Sequence, residues 1–215
     1  MAIRAIELAI IERAWSAGWV RPQPPSRPAQ AGTHHQIAVV GSGPAGLVCA
    51  QQLARAGHSV TVYEGAEEIG GLLRYGIPDF RLEKWVLDRR LAQMRAEGVQ
   101  FRTNTQVGVG LDSEDLLSDV DAVVLACGCS VPRHVDIPGR GLRGIHFALA
   151  YLTRQNRRVS GAWFDSDTRI DARGLDVLVI GGGDTGSDCV GTAIRQGHPR
   201  GPPVRGGGGS VSVRA

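Results

Sequence analysis

A glycine loop between an apolar strand and a helix places the strongest constraint on how this chain can fold. The apolar run 37–40 (IAVV) leads into the loop GSGPAG, residues 41–46, and a helical pattern follows as far as Gly57. The next run, HSVTVYE, ends at Glu64 and is typical of a second strand. A strand, a glycine loop, a helix and a second strand within about 30 residues predict a parallel βαβ unit that binds a dinucleotide.

Each glycine of this first loop is expected to be needed for a different structural reason. Gly41 permits the tight turn out of the strand, Gly43 lets the backbone approach a diphosphate, and Gly46 allows the helix to pack closely on the strand. The helix begins near Pro44, so its free N–H groups and the positive end of its dipole point at the phosphates. Glu64 is placed to accept hydrogen bonds from ribose hydroxyls.

A second loop of the same kind occurs near the end of the chain. The apolar run 176–180 (DVLVI) leads into GGGDTG, residues 181–186, and a helical pattern follows as far as Gly197. Beyond it the chain reads PPVRGGGG, where prolines cannot donate ladder hydrogen bonds and glycines weaken a strand. We therefore predict the diphosphate half of a second site without the strand that would hold the ribose. Two such loops in one chain suggest a flavin and a nicotinamide cofactor.

The rest of the pattern gives the fold class. Strands alternate with helices across residues 36–197, which predicts an α/β fold with a mainly parallel sheet: a Rossmann-like domain followed by the start of a second one. Further helices are predicted at 3–17, 82–97 and 146–156, further strands in VQFRT and DAVVLACG, and a loop at 65–80. The tail from residue 198 has no apolar period and is predicted to be disordered.

Composition excludes several classes of function. The net charge is only +3 and no long basic run occurs, which argues against nucleic-acid binding. No stretch reaches the roughly 18 apolar residues needed to span a bilayer, and no signal-peptide layout is present, so a cytoplasmic protein is predicted. The four cysteines, Cys49, Cys127, Cys129 and Cys189, lack the spacing of a zinc or iron–sulfur site. A redox dithiol formed by Cys127 and Cys129 stays open as an alternative to buried, reduced thiols.

Longer motifs then point to a family. The stretches 70–99 (GGLLRYGIPDFRLEKWVLDRRLAQMRAEGV) and 179–197 (VIGGGDTGSDCVGTAIRQG) resemble the small (β) subunit of NADPH-dependent glutamate synthase, and the resemblance covers about residues 2–197. It implies a flavoprotein with FAD on the first loop and NADPH on the second. Electrons would pass through FAD to iron–sulfur clusters and to the large (α) subunit, which makes glutamate from glutamine and 2-oxoglutarate.

The resemblance also implies a set of cofactor contacts. No catalytic side chain and no metal ligand is expected. The implied FAD contacts are Gly41, Gly43, Ala45, Gly46, Glu64, Gly71, Leu72, Arg74, Val107 and Gly128. The implied NADPH contacts are Gly181, Gly183, Asp184 and Thr185.

The expected organisation of the chain combines these patterns with the resemblance. It also shows which parts of the family are missing. The expected parts are the terminal helix of a missing iron–sulfur domain (1–20), a proline-rich linker (21–35), an incomplete FAD-binding domain (36–140), a partial NAD(P)H-binding domain (141–197) and a disordered tail (198–215). The family's N-terminal domain with its cluster-binding cysteines is absent except for its last helix, and the rest of the NADPH-binding domain and the return to the FAD-binding domain are absent too, so the chain is expected to be truncated at both ends. The leading hypothesis is an electron-input subunit; the alternatives are a flavin- or nucleotide-binding module without turnover, and a disulfide reductase using Cys127 and Cys129.

Overall fold

The computed structural model describes residues 3–25, 34–132, 136, 138–161, 170–197, 203–204 and 211–213. In chain order the elements are α1 (Ile3–Ser16), β1 (Gln36–Val40), α2 (Pro44–Arg55), β2 (Ser59–Tyr63), α3 (Leu72–Tyr75), α4 (Lys84–Ala96), β3 (Gln100–Arg102), α5 (Ser113–Asp119), β4 (Ala122–Leu125), α6 (Ala148–Val159), β5 (Val177–Val179), α7 (Asp184–Arg195), β6 (Pro203–Val204) and β7 (Val211–Val213).

The chain divides into two compact units. The first unit comprises Met1–Glu67 and Asp88–Ala126, and the second unit comprises Glu68–Leu87 and Cys127–Ala215. The predicted domains place a boundary at 140 instead and assign residues 68–87 to the first domain. The difference has a physical reason, because the 68–87 segment is fastened to helices of the second unit. For example, the Asn156 side chain on α6 donates to the carbonyl oxygens of Tyr75 and Ile77 at 2.8 and 3.1 Å.

A four-stranded sheet forms the core of the first unit. Its strand order is β3-β2-β1-β4, and all three neighbouring pairs are parallel. Ala38, Val39 and Val62 are completely buried, as expected for central strands of a parallel sheet that is covered on both faces. The apolar face of α2, with Leu47, Ala50 and Ala54, is buried as well. The predicted α/β fold with a parallel sheet is confirmed.

Two short helices among the described residues are not predicted from the sequence. Helix α5 begins after Asp112, whose Oδ1 accepts a hydrogen bond from the Glu114 N–H at 2.7 Å and so caps the helix. Helix α3 is a single turn inside the predicted loop 65–80, and it begins after Gly71, which has a φ of 52°. The other predicted helices are present, with ends that differ by a few residues from the prediction.

Helix α1 confirms the prediction of a helix near residues 3–17. None of its residues is buried, and the apolar side chains of Ile3, Ile6 and Ile10 are each more than half exposed. Near its end, Glu12 accepts two hydrogen bonds from the Arg89 guanidinium at 2.6 and 2.9 Å. The same guanidinium lies 4.4 Å from the ring centroid of Trp15. The proline-rich linker predicted to follow lies partly outside the described residues, at 26–33.

The second unit is built on α6, α7 and a small sheet. Tyr151 and Leu152 of α6 form a buried cluster with Cys189 of α7. The sheet has the strand order β5-β7-β6, and both neighbouring pairs are antiparallel.

The tail differs from its prediction in two places. The sequence predicts disorder from residue 198 to 215, but β6 and β7 lie within this range. Strand β7 pairs with β5 in a register that sets Val213 opposite Val177 and Val211 opposite Val179. The sequence of β7, Val-Ser-Val, has the alternation of a strand and a β-branched residue at each end, which explains why it pairs. The other residues of the tail lie outside the described residues.

Candidate dinucleotide-binding sites

The first glycine loop turns from β1 into α2 in a conformation that requires glycine at two positions. Gly41 has a φ of 103°, in the left-handed region that other residues avoid. Its N–H donates to the carbonyl oxygen of Tyr63 at the end of β2, at 2.8 Å. A Cβ atom on Gly46 would lie 2.0 Å from the carbonyl oxygen of Gly41, far inside contact distance. A side chain at either position would therefore force the loop to change shape.

The N-terminus of α2 is left open toward the loop. Gly43 precedes the helix in an extended conformation, and no side chain caps the helix. The first turn begins with Pro44, which has no N–H, and Ala45 is exposed. A Cβ atom added to Gly43 would meet no other heavy atom within 4 Å, so there is free space beside the backbone. Free space next to first-turn N–H groups fits a diphosphate group.

Glu64 follows β2 directly, and its carboxylate faces the first loop. Its Oε2 accepts hydrogen bonds from the N–H of Ser42 at 3.1 Å and from the Ser42 hydroxyl at 2.5 Å. Its Oε1 accepts from the N–H of Ala66 at 2.9 Å. Because a carboxylate offers about four acceptor positions, these three bonds leave capacity for a ribose hydroxyl. Ser42 is completely buried and is not among the contacts predicted from the sequence, although it lies between two loop glycines.

The second glycine loop has the same local geometry as the first. Gly181 has a φ of 126°, and a Cβ atom on Gly186 would lie 2.3 Å from the Gly181 carbonyl oxygen. Gly183 precedes α7 in an extended conformation, and no side chain caps this helix. A Cβ atom on Gly183 would again meet nothing within 4 Å. The first turn, with Asp184 and Thr185, is exposed. This loop also fits a diphosphate.

The strand beside the second loop differs in direction from the strand beside the first loop. In a dinucleotide-binding βαβ unit, the strand after the helix runs parallel to the first strand and its end reaches the ribose. Here β7 lies beside β5 and runs antiparallel to it. Among the described residues no strand runs parallel to β5. The second loop therefore has its diphosphate cradle, but the described residues supply no counterpart of Glu64.

Comparison with known families identifies the fold around the two loops. The model of the family described as pyridine nucleotide-disulphide oxidoreductase matches residues 35–204, which include both glycine loops. The chain belongs to this family. Membership implies binding of FAD and of a pyridine nucleotide, and it accounts for the Rossmann-like parallel sheet of the first unit.

Within this family the chain is homologous to the small chain of glutamate synthase. It is 53% identical over 200 residues to the NADPH-type glutamate synthase small chain of Mycobacterium tuberculosis, and the match covers 92% of this chain and 40% of the relative. It is 44% identical over 214 residues to the same protein of Bacillus subtilis, with coverage of 95% and 43%. The chain thus spans less than half the length of these relatives.

Solved structures give the same fold. The structure of Mycobacterium tuberculosis FprA in complex with NADPH matches with a TM-score of 0.61 and 26% identity. The match covers 76% of this chain and 36% of FprA.

The remaining residues implied for FAD contact are spread over both units. In the second unit, Gly71 precedes α3, Leu72 is half exposed, and Arg74 is mostly buried. The Arg74 Nε donates to the carbonyl oxygen of Ile69 at 3.1 Å and lies 3.1 Å from a carboxylate oxygen of Glu68. In the first unit, Val107 packs against the buried cluster of Ala38, Tyr63 and Leu116. Gly128, in the second unit, is exposed and has a φ of 67°.

The thiols of the four cysteines lie in different environments. Cys127 and Cys129 are exposed, Cys49 is half-buried and Cys189 is buried. Burial, and to a smaller extent the charge of Asp188, raise the pKa of Cys189 to about 11. In the described part of the chain, no group of three or more histidine, cysteine or acidic side chains could hold a metal ion. The described residues therefore bring together no ligand set that fits an iron–sulfur cluster.

Two further observations concern the surface. None of the helices in the described ranges is long and apolar enough to cross a membrane. A cleft of about 420 Å³ lies between Pro24, Pro25, His34, His58 and Glu97, and none of the residues implied for cofactor contact lines it. The loop geometry and the family match, not this cleft, therefore define the candidate sites.

Proposed function

We propose that this chain is the FAD- and NADPH-binding part of a glutamate synthase electron-input subunit. The observation that carries the proposal is the first glycine loop, which combines the Gly41 and Gly46 geometry with a carboxylate at Glu64. The homology to glutamate synthase small chains supports the choice of this enzyme within the family. The pathway served is glutamate biosynthesis and ammonia assimilation.

The first loop is the proposed FAD site. Gly41 and Gly46 set the turn, Gly43 leaves room for the diphosphate, and the N–H groups of Ala45 and Gly46 in the first turn of α2 are positioned to bind it. Glu64 accepts hydrogen bonds from the ribose, and Ser42 holds its carboxylate in place. We further propose contacts from Gly71, Leu72, Arg74, Val107 and Gly128.

The second loop is the proposed NADPH site. Gly181 and Gly183 shape the cradle, and the N–H groups of Asp184 and Thr185 begin the helix that faces the diphosphate. The chemistry that the two cofactors supply when bound is hydride transfer from a reduced nicotinamide to a flavin. The protein holds and orients the cofactors, and no side chain of this chain is proposed as an acid, base or nucleophile.

The proposed electron acceptor is the large (α) subunit of glutamate synthase, which is reached through iron–sulfur clusters. The four cysteines of this chain do not supply the cluster ligands, so the clusters are proposed to be held by other parts of the enzyme. A cytoplasmic location and the absence of nucleic-acid and membrane partners stay predictions.

A second candidate function is a flavin- or nucleotide-binding module without turnover. The observation that favours it is the antiparallel β7 beside β5, because this strand cannot present a ribose-binding carboxylate in the way that β2 presents Glu64. In this case the first loop would bind FAD, but NADPH would bind too weakly at the second loop to reduce it.

Reconstitution with FAD separates the two functions. The purified chain is incubated with FAD and desalted, and its visible spectrum and its NADPH-driven reduction of a dye are recorded. A retained flavin band with dye reduction supports the enzyme, and Gly186→Ala should abolish the reduction, whereas the exposed control Gly141→Ala should not. A retained band without dye reduction supports the binding module. If the desalted protein carries no flavin band, both are wrong.

A further inference from the structure

Arg81 reaches the first turn of α7, directly after the second glycine loop. Its Nη2 lies 3.0 Å from Oδ1 of Asp184, and its Nε lies 3.0 Å from Oδ1 of Asp188. The two carboxylates are four positions apart on α7, which places them on one face so that a single guanidinium can span them. Asp184 is the first residue of the helix, so the cation lies at the end where the proposed diphosphate would bind.

The two ion pairs differ in their contact with water. The side chain of Asp188 is 9% exposed, that of Arg81 is 33% exposed, and that of Asp184 is 94% exposed. A pair with a fully solvated carboxylate contributes little and is easily exchanged, while a buried carboxylate needs its cation. Asp188 is therefore the fixed partner of Arg81, and Asp184 is the replaceable one.

The backbone that carries Arg81 is fastened to α7 independently of Asp184. The Phe80 ring packs so closely on Gly191 that a Cβ atom there would lie 2.7 Å from the ring. The guanidinium of Arg195 lies 3.7 Å from the Phe80 ring centroid. Positions 184, 188, 191 and 195 share one face of the helix at helical spacing. Loss of the Asp184 contact would thus leave Arg81 in place beside the loop.

We propose that Arg81 binds the diphosphate of the dinucleotide at the second loop, and that this diphosphate replaces the Asp184 carboxylate as the partner of Nη2. The inference rests on the proposed binding of NADPH at this loop. The ion pair between Nε and the buried Asp188 carboxylate, which is not an aligned hydrogen bond, keeps the guanidinium beside the loop, so that Nη2 can donate to a phosphate oxygen. The exchange moves only the exposed Asp184 side chain, which otherwise places a negative charge beside an anionic ligand.

Opposite effects of two substitutions test this exchange. Dissociation constants for NADPH and for NADH are measured with the full chain by isothermal titration calorimetry. Arg81→Gln should raise both dissociation constants by about tenfold, because one charged hydrogen bond to the shared diphosphate is lost. Asp184→Asn should lower both dissociation constants by about threefold, because the competing carboxylate is removed. If the ion pair were purely structural, neither variant should bind NADPH or NADH more tightly than the wild type.

Control variants account for general charge effects and for folding. Arg143→Gln and Asp136→Asn carry the same charge changes at exposed positions and should leave both constants unchanged. Arg81→Lys keeps the charge without the planar fork and should recover part of the lost affinity. Because Asp184 is exposed, Asp184→Asn keeps the test valid even if Arg81→Gln unfolds, which circular dichroism would reveal.

The double variant Arg81→Gln/Asp184→Asn tests whether Asp184 and the ligand compete for Arg81. If Asp184 competes for Arg81, the gain from Asp184→Asn should shrink in the Arg81→Gln background. An equal gain in both backgrounds, or weaker binding by Asp184→Asn alone, would overturn the inference while leaving the NADPH site intact. A wild-type chain that binds neither NADPH nor NADH would overturn the proposed second site and this inference with it.

Discussion

Replacing Glu97 with glutamine tests how α2, the helix of the first loop, is held in place. Glu97 follows α4 and is 1% exposed. Its carboxylate accepts hydrogen bonds from two side chains of α2, from Gln51 Nε2 at 2.7 Å and from Arg55 Nε and Nη2 at 3.0 and 2.7 Å. Gln93 Nε2 of α4 and the N–H of Gln23 donate to it at 2.9 and 3.0 Å. Glu97→Gln removes the charge while keeping the size of the side chain.

The pKa of Glu97 gives the expected magnitude. Burial acts to raise this pKa, but the hydrogen bonds from Arg55, Gln51, Gln23 and Gln93 outweigh burial and lower it from 4.5 to about 2. Such a shift corresponds to about 3 kcal/mol of stability from the charged form. Because the folded-state pKa is depressed, this stability is fully present above pH 4.5 and is lost as the pH falls toward about 2.

Thermal unfolding followed by circular dichroism measures the effect. At pH 7 we expect Glu97→Gln to lower the Tm by roughly 6–12 °C, from about 2–4 °C per kcal/mol for a chain of this size. At pH 3 the difference in unfolding free energy between wild type and variant should fall to about half or less. The exposed control Glu7→Gln should change the Tm little at either pH. A Glu97→Gln difference that is the same at both pH values would refute the reasoning.

Two further predictions concern the loops and the thiols. Gly46→Ala should destabilise the chain by about 1–3 kcal/mol in urea unfolding, because its Cβ would lie 2.0 Å from the Gly41 carbonyl oxygen. Gly110→Ala, whose Cβ would lie 3.9 Å from its nearest neighbour, is the matched control, and equal losses would contradict the prediction. A thiol reagent at pH 8 should modify Cys127 rapidly and Cys189 only after unfolding, since burial raises the pKa of Cys189 to about 11. Rapid labelling of Cys189 in the folded protein, mapped by mass spectrometry, would show this to be wrong.

The sheet of the first unit and both loops could be predicted because their signals are local. The runs IAVV and SVTVY are rich in β-branched residues, and each glycine loop stands directly between a strand and a helix. Helix α5 depends on one capping side chain, Asp112, at the start of only seven residues, and apolar periodicity does not detect so short a helix. Helix α3 is a single turn flanked by glycines, which favour a loop interpretation.

The candidate sites can be predicted only where the residues that form them lie close together in the sequence. The glycines and Glu64 follow from spacing along the chain. The hydrogen bonds of Ser42 to Glu64 depend on the packing of β1 against β2. The pair of Arg81 with Asp184 joins residues 103 positions apart, which no local pattern indicates. The strand at Val211–Val213 was missed because a three-residue strand in a glycine-rich tail gains its order from pairing with β5.

Titration of the purified chain with FAD tests the central claim, that the first loop binds a flavin dinucleotide through its diphosphate. The wild-type chain should quench flavin fluorescence and gain thermal stability. Gly43→Ala should weaken FAD binding by about tenfold or more, because a methyl group would fill the space meant for the diphosphate. Its stability without FAD should be unchanged, since that methyl group meets no protein atom within 4 Å. If FAD leaves the wild type unaffected, or if Gly43→Ala binds FAD as tightly as the wild type does, the claim is wrong.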